Sequence, residues 1–118
     1  MSGFKNEKEI WKYQKPRLRG NWERYELVTP AGHPDVKGSH KHKISYIENK
    51  VGDEDTAERR RKAMQASQVT YCDWLVSCGH DVYVCFGSPS RRSVTFYHWL
   101  GRLLIPTVPA FWSHAKLR

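Results

Sequence analysis

Two acids and a lysine have the types and spacing to do chemistry. Asp35 follows a proline in Gly32-His33-Pro34-Asp35, and Glu48 and Lys50 stand two apart in Ile44-Ser45-Tyr46-Ile47-Glu48-Asn49-Lys50-Val51. Side chains alternate along a strand, so Glu48 and Lys50 share one face and Asn49 takes the other. Two carboxylates brought close repel unless a cation sits between them. Mg2+ takes oxygen ligands, typically one or two carboxylates with water and substrate phosphate. A metal so held activates water and polarises a phosphodiester. A neighbouring lysine orients the nucleophile or offsets charge that develops in the transition state. The backbone carbonyl of Asn49 can supply a further oxygen.

These residues need a hairpin to gather them. The run Ile44 to Val51 is rich in β-branched and aromatic residues and predicts a strand. Gly38-Ser39-His40-Lys41 is turn-like and folds Asp35 back beside that strand. Taken alone, an acid two before a lysine reads as a solvated strand face, and Asp35-Val36-Lys37 is a second instance in this chain. The difference lies in the surroundings. Ile44 and Tyr46 share the face of Glu48 and Lys50, while Ile47 and Val51 lie on the other with Ser45. A strand apolar on both faces is buried on both sides, where an acid and a lysine need a reason.

Gly32-His33-Pro34-Asp35 followed by Ile47-Glu48-Asn49-Lys50 resembles the PD-(D/E)xK nuclease superfamily. Within it the chain is similar to the small VRR-type nucleases, many of them from phages, and to their Holliday-junction-resolvase-like relatives. The resemblance covers about Glu7 to Gly87. It implies an α/β fold with a restriction-endonuclease-like core, a mixed central sheet flanked by helices. It also implies a DNA endonuclease that depends on Mg2+ or Mn2+, prefers branched DNA and works as a homodimer. In that frame Asp35, Glu48 and the Asn49 carbonyl hold the metal, and Lys50 assists the nucleophile. An acid of the first helix, Glu9 or Glu7, or Glu26 from the strand before the hairpin, completes the ligand set; Glu7 and Glu9 equally suit the N-terminus of that helix. Two other readings stay open: a catalytically inactive DNA-binding protein on the same scaffold, and a small basic binding or inhibitor protein.

Length and composition narrow the classes. A chain of 118 residues suits one domain, 1–118. A net charge of +8 and an isoelectric point near 9.6 favour a polyanionic partner. No apolar run approaches a membrane span and no signal-peptide core opens the sequence, which predicts a cytoplasmic protein of a bacterial or phage-infected cell. Cys72, Cys78 and Cys85 sit in apolar pattern and read as reduced core thiols.

Along the chain, Asn6 with Glu9 makes a capping box for a helix over Glu7 to Gln14, stopped near Pro16. Trp22 to Val28 is strand-like, and Thr29 to Gly32 is a turn. Asp53 to Lys62 runs from acids to bases, with Asp55 and Glu58 as helix caps. Arg59, Arg60 and Arg61, with Lys41 in the basic turn, are the candidate DNA-backbone contacts. His40 with His42, and Cys72 and Cys78 with His80, lack the partners of a zinc site. Met64, Gln68, Tyr71, Cys72 and Leu75 recur at helical spacing, so Gln68 is an amide in an apolar stripe and needs a partner. The family resemblance puts such a glutamine in the active site. Gly79 ends that helix. Strands are expected over 81–86 and 93–99, and a short helix or turn over 100–105. The apolar residues beyond Trp99 (Leu103, Leu104, Ile105, Phe111 and Trp112) are the candidate dimer contact.

Overall fold

Strand β3 (Lys43–Val51) runs through the middle of a six-stranded sheet, with buried residues on both of its faces. The structure is a computed structural model; it describes residues 2–25, 32–53, 57–101 and 103–117, apart from the side chains at 57 and 58. Glu26, the turn at 29–31 and the Asp55–Glu58 caps lie outside the described residues. The sheet order is β1 (Asn21–Arg24), β2 (Val36–His40), β3, β4 (Asp81–Gly87), β5 (Val94–Leu100) and β6 (Leu103–Thr107). Neighbours are antiparallel except β3 and β4, which are parallel. A parallel pair needs a crossover, and α2 (Ala57–Lys62) with α3 (Ala66–Ser77) supplies it.

The helices lie on opposite faces. α1 (Glu7–Gln14) starts where the Asn6 side chain accepts the Glu9 N–H at 2.9 Å, and a 3-10 turn over Lys15–Arg17 carrying Pro16 ends it. Its Ile10 packs with Ile47, Val36, Cys85 and Phe96. On the other face α2 and α3 cover Tyr46, Val82, Val84, Phe86, Tyr97 and Trp99. The result is an α/β fold with a mixed sheet flanked by helices. Gly79, at φ +87, takes the left-handed conformation that closes α3. Among the described residues no helix is long and apolar enough to cross a membrane.

Several expectations change. The hairpin turn is Lys41-His42, both at positive φ (49° and 64°), rather than the stretch from Gly38. That matches the twist of a two-residue hairpin loop but lacks the usual Asn-Gly signal. Residues 103–107 form β6 rather than a helix or turn; its Pro106 lies on an edge strand, where a missing N–H is tolerated. Cys72 and Cys85 are buried thiols, but Cys78 is exposed. The tail is also revised. Leu104, Phe111 and Trp112 are core residues, which leaves Leu103 and Ile105 exposed among the five proposed for a dimer contact. Phe111 and Trp112 fill the α1 side of the sheet, each contributing about 2–3 kcal/mol by burial.

Candidate active site

The register of the hairpin decides which groups meet. Val36 pairs with Ile47, and one step further sets Asp35 opposite Glu48. Residues opposite one another in an antiparallel pair point to the same face. Asp35 thus joins Glu48 and Lys50 on the side covered by α3. The Asp35 Oδ1 accepts the Asn49 N–H at 3.2 Å, and the Asp35 carbonyl accepts the Tyr25 N–H at 2.8 Å. N–H and C=O of one residue leave a strand on the same side, so the Asn49 carbonyl opens toward Asp35.

Glu48 carries the densest set of contacts. Gln68 Nε2 donates to its Oε2 at 2.8 Å, and Lys50 Nζ lies 3.9 Å from the same oxygen. The Gln68 Oε1 in turn accepts the Gln65 N–H at 2.9 Å, which fixes the amide orientation and caps α3. Gly32, at φ +85, has no room for a side chain against the Ser67 carbonyl, so Gly32-His33-Pro34-Asp35 lies directly on the start of α3. The His33 ring is held edge-on between Tyr25, Tyr46 and Tyr71, at 5.4, 5.7 and 5.0 Å.

The electrostatics follow from this crowding. Burial pushes the Glu48 carboxyl up to about 8; the Asp35 charge adds to the rise and Lys50 opposes it. Burial pushes Asp35 up to about 6 against the Asn49 N–H, which favours the charged form. Lys50 beside Glu48 and the Arg24 charge acting on Asp35 do not bring either carboxyl back to its ordinary value. A divalent cation meets the same deficit, and Asp35, Glu48 and the Asn49 carbonyl are the hard oxygen donors it takes. The donor set therefore fits Mg2+ or Mn2+. Among the described residues no three His, Cys, Asp or Glu side chains gather into a group that could hold a metal ion.

The chain matches no protein-family model and no curated protein. Among solved structures it is similar to Hjc, a Holliday junction resolvase from the archaeal hyperthermophile Archaeoglobus fulgidus. The identity is 18% over 88% of this chain and 83% of that one, with a TM-score of 0.47.

Other candidates sit elsewhere. Glu9 is engaged at the start of α1, where its carboxylate accepts the Lys5 N–H at 2.9 Å, so it does not join the pair. Glu7 is the acid of α1 whose charge reaches both Asp35 and Glu48. Lys41 stands at the hairpin tip, about 20 Å from Glu48 along β3. The arginine run is not a free ridge. Arg60 is buried, with its guanidinium 4.3 Å over Tyr97 and a bond to the Leu104 carbonyl at 3.2 Å. Arg61 donates to the Gly101 carbonyl and lies 5.3 Å over Trp99. Arg59 also makes an interaction within the protein.

The sequence reading missed Gln14. It is fully buried on the opposite face from Glu48 and exchanges two hydrogen bonds with Asn49, at 2.9 and 3.1 Å. The signal was present: Gln14 follows Ile10 by four, an amide on the apolar stripe of α1, as Gln68 follows Met64.

Proposed function

We propose that the chain is a Mg2+- or Mn2+-dependent deoxyribonuclease that hydrolyses phosphodiester bonds, with branched DNA as its preferred substrate. What supports the reading is one observation: half-buried Asp35 stands beside buried Glu48, with Lys50 and Gln68 both directed at the same Glu48 oxygen. Asp35, Glu48 and the Asn49 carbonyl hold the cation. When bound, that ion supplies Lewis acidity to a phosphoryl oxygen and neutralises the two acids. Lys50 presents its ammonium to the attacking water and to charge developing on the phosphate. Gln68 holds Glu48 in one rotamer through its own anchor on Gln65. His33 and its three tyrosines keep the Asp35 loop seated.

A homodimer places two such centres on a two-fold branched substrate. With the tail drawn into the core, the surface that suits a second copy is the β6 edge, where Leu100, Leu103, Ile105 and Val108 are exposed. The setting of this activity is the cytoplasm of a bacterial or phage-infected cell.

The test is incubation with linear, nicked, flapped and four-way-junction DNA, with and without Mg2+ or Mn2+. The expected result is metal-dependent cutting, fastest on the junction. Metal-independent cutting, or full activity in Glu48→Ala, overturns the site. Binding without cleavage of any substrate leaves the inactive DNA-binding protein on this scaffold.

A further inference from the structure

The basic run of α2 is engaged in the fold, but another set of cations is not. Lys8, Lys12 and Lys15 recur at four and three residues along α1, on one helical stripe, and all three are exposed. Trp11 lies among them, half-buried, with the Lys15 ammonium 6.0 Å from its ring. Lys8, Trp11, Lys12, Lys15 and Pro16 line a groove of about 640 Å³. On the far side of Lys12 a second groove of about 500 Å³ is lined by Tyr13, Arg17, Arg92 and Lys116, with Glu9 on its rim.

That second groove is assembled from distant parts of the chain. The Ser113 N–H donates to the Arg17 carbonyl at 2.9 Å and the Leu117 N–H to the Pro16 carbonyl at 2.7 Å. Arg17 Nε donates to the His114 carbonyl at 3.2 Å, and its guanidinium lies 3.7 Å over Tyr13. Arg17 is thus a pin that brings Lys116 to the α1 face. Among the described residues no carboxylate pairs with Lys8, Lys12, Lys15, Arg92 or Lys116, whereas Lys43 pairs with Asp81 and Lys50 with Glu48.

We propose that this face of α1, with the tail pinned beside it, is a track for the phosphodiester backbone of the nucleic acid whose cleavage is assigned to the Asp35–Glu48 site. The inference rests on the phosphodiester reading of that site. One further observation chooses the occupant, the length of the track. From Glu7 to Lys15 it extends about 12 Å at 1.5 Å per residue, which spans three to four steps of one strand at about 3.4 Å each. Uncompensated cations at that spacing suit successive phosphates, and Trp11 offers a ring to a sugar or an unstacked base.

The test is fluorescence anisotropy with a labelled duplex in EDTA, so that binding is read without cleavage. Lys8→Gln/Lys12→Gln/Lys15→Gln is compared with Lys37→Gln/Lys43→Gln, which removes charge from the β2–β3 hairpin and leaves Lys41 in place. The α1 triple is expected to bind about 30-fold more weakly near 100 mM salt and to lower the salt slope by about 2.7, or about 0.9 per lost phosphate contact. The hairpin double is expected to stay within about 3-fold of the parent, since neither of its lysines lies on the track. Arg92→Gln/Lys116→Gln, which leaves α1 intact, should reproduce part of the loss. Equal weakening per lost charge by both variants, or no weakening by the α1 triple, overturns the track. A parent that never cuts DNA while the α1 triple still loses binding sinks the nuclease and leaves the track. A parent that cuts while both variants bind alike does the reverse.

Discussion

Glu48 and Asn49 are consecutive on β3 and both are buried, yet the protein treats them in opposite ways. Asn49 points to the α1 face and meets Gln14 in a neutral, reciprocal pair that satisfies both amides. Glu48 points to the α3 face and meets another carboxylate, one lysine and one amide. The first pair has complementary donors and acceptors and no net charge. The second carries negative charge that its surroundings do not balance. Buried polarity that serves the fold is matched internally, whereas buried polarity held in deficit is suited to something arriving from outside.

The strongest way to break this comparison is to remove the charged side. Asp35→Ala, Glu48→Ala and Lys50→Ala should each lower cleavage by at least about 10³-fold, or ~4 kcal/mol of barrier, with the fold intact by circular dichroism. Gln14→Leu/Asn49→Leu should still cleave, because the Asn49 backbone stays in place.

The neutral pair should respond in stability instead. Asn49→Leu leaves the Gln14 amide without its partner and should cost about 2–3 kcal/mol in urea unfolding, while adding Gln14→Leu should restore most of it. If the double variant is no better than the single, the two amides do not act as a unit.

Acidity sharpens the contrast further. Asp35 and Glu48 hold protons more tightly in the folded protein than their ordinary values of 3.8 and 4.5. The folded state therefore keeps protons that the unfolded chain releases, and the stability they give is complete below about pH 4 and lost as pH rises toward 8. In EDTA the stability should fall by on the order of 2 kcal/mol between pH 5 and pH 8, and the melting temperature with it. Glu48→Gln should flatten that slope, and Mg2+ should oppose it most at the alkaline end. A melting temperature that climbs over the same range would contradict the charge deficit.

Gln68→Ala should give the smallest effect, about ten-fold in rate or ~1.4 kcal/mol, since it removes an anchor of Glu48 and leaves the charges. Normal cleavage in this variant would mean that the Gln68–Glu48 contact has no part in the reaction.

Much of the site's framework was legible because it depends on local pattern. Apolar residues on both faces of Ile44–Val51 marked a strand buried on both sides, although Ile44 itself is exposed, and Asn6 with Pro16 bounded α1. An amide in an apolar stripe marked Gln68. What was not legible depends on long-range packing. Lys41 and His42 adopt left-handed turn geometry without a glycine, so the turn was read too early. Leu103–Thr107 contains a proline and no clean alternation, and only its place at the sheet edge makes it a strand. Arg60 looked solvent-facing in a charged run, yet Tyr97 and Leu104 lie under it. Phe111 and Trp112 looked surplus because the cavity they fill is formed by residues some hundred positions earlier.

That last arrangement has a consequence for how the chain is made. Arg17 and Arg19 bond to carbonyls of Ala110, Trp112 and His114, at sequence separations of 91 to 97 residues. A nascent chain that has reached β5 still lacks the rings that close the α1 face, and contacts this distant make for slow folding. Until residues 111 and 112 leave the ribosome, Ile10 and Leu18 remain partly uncovered, and the protein passes through synthesis with a sticky, half-finished side.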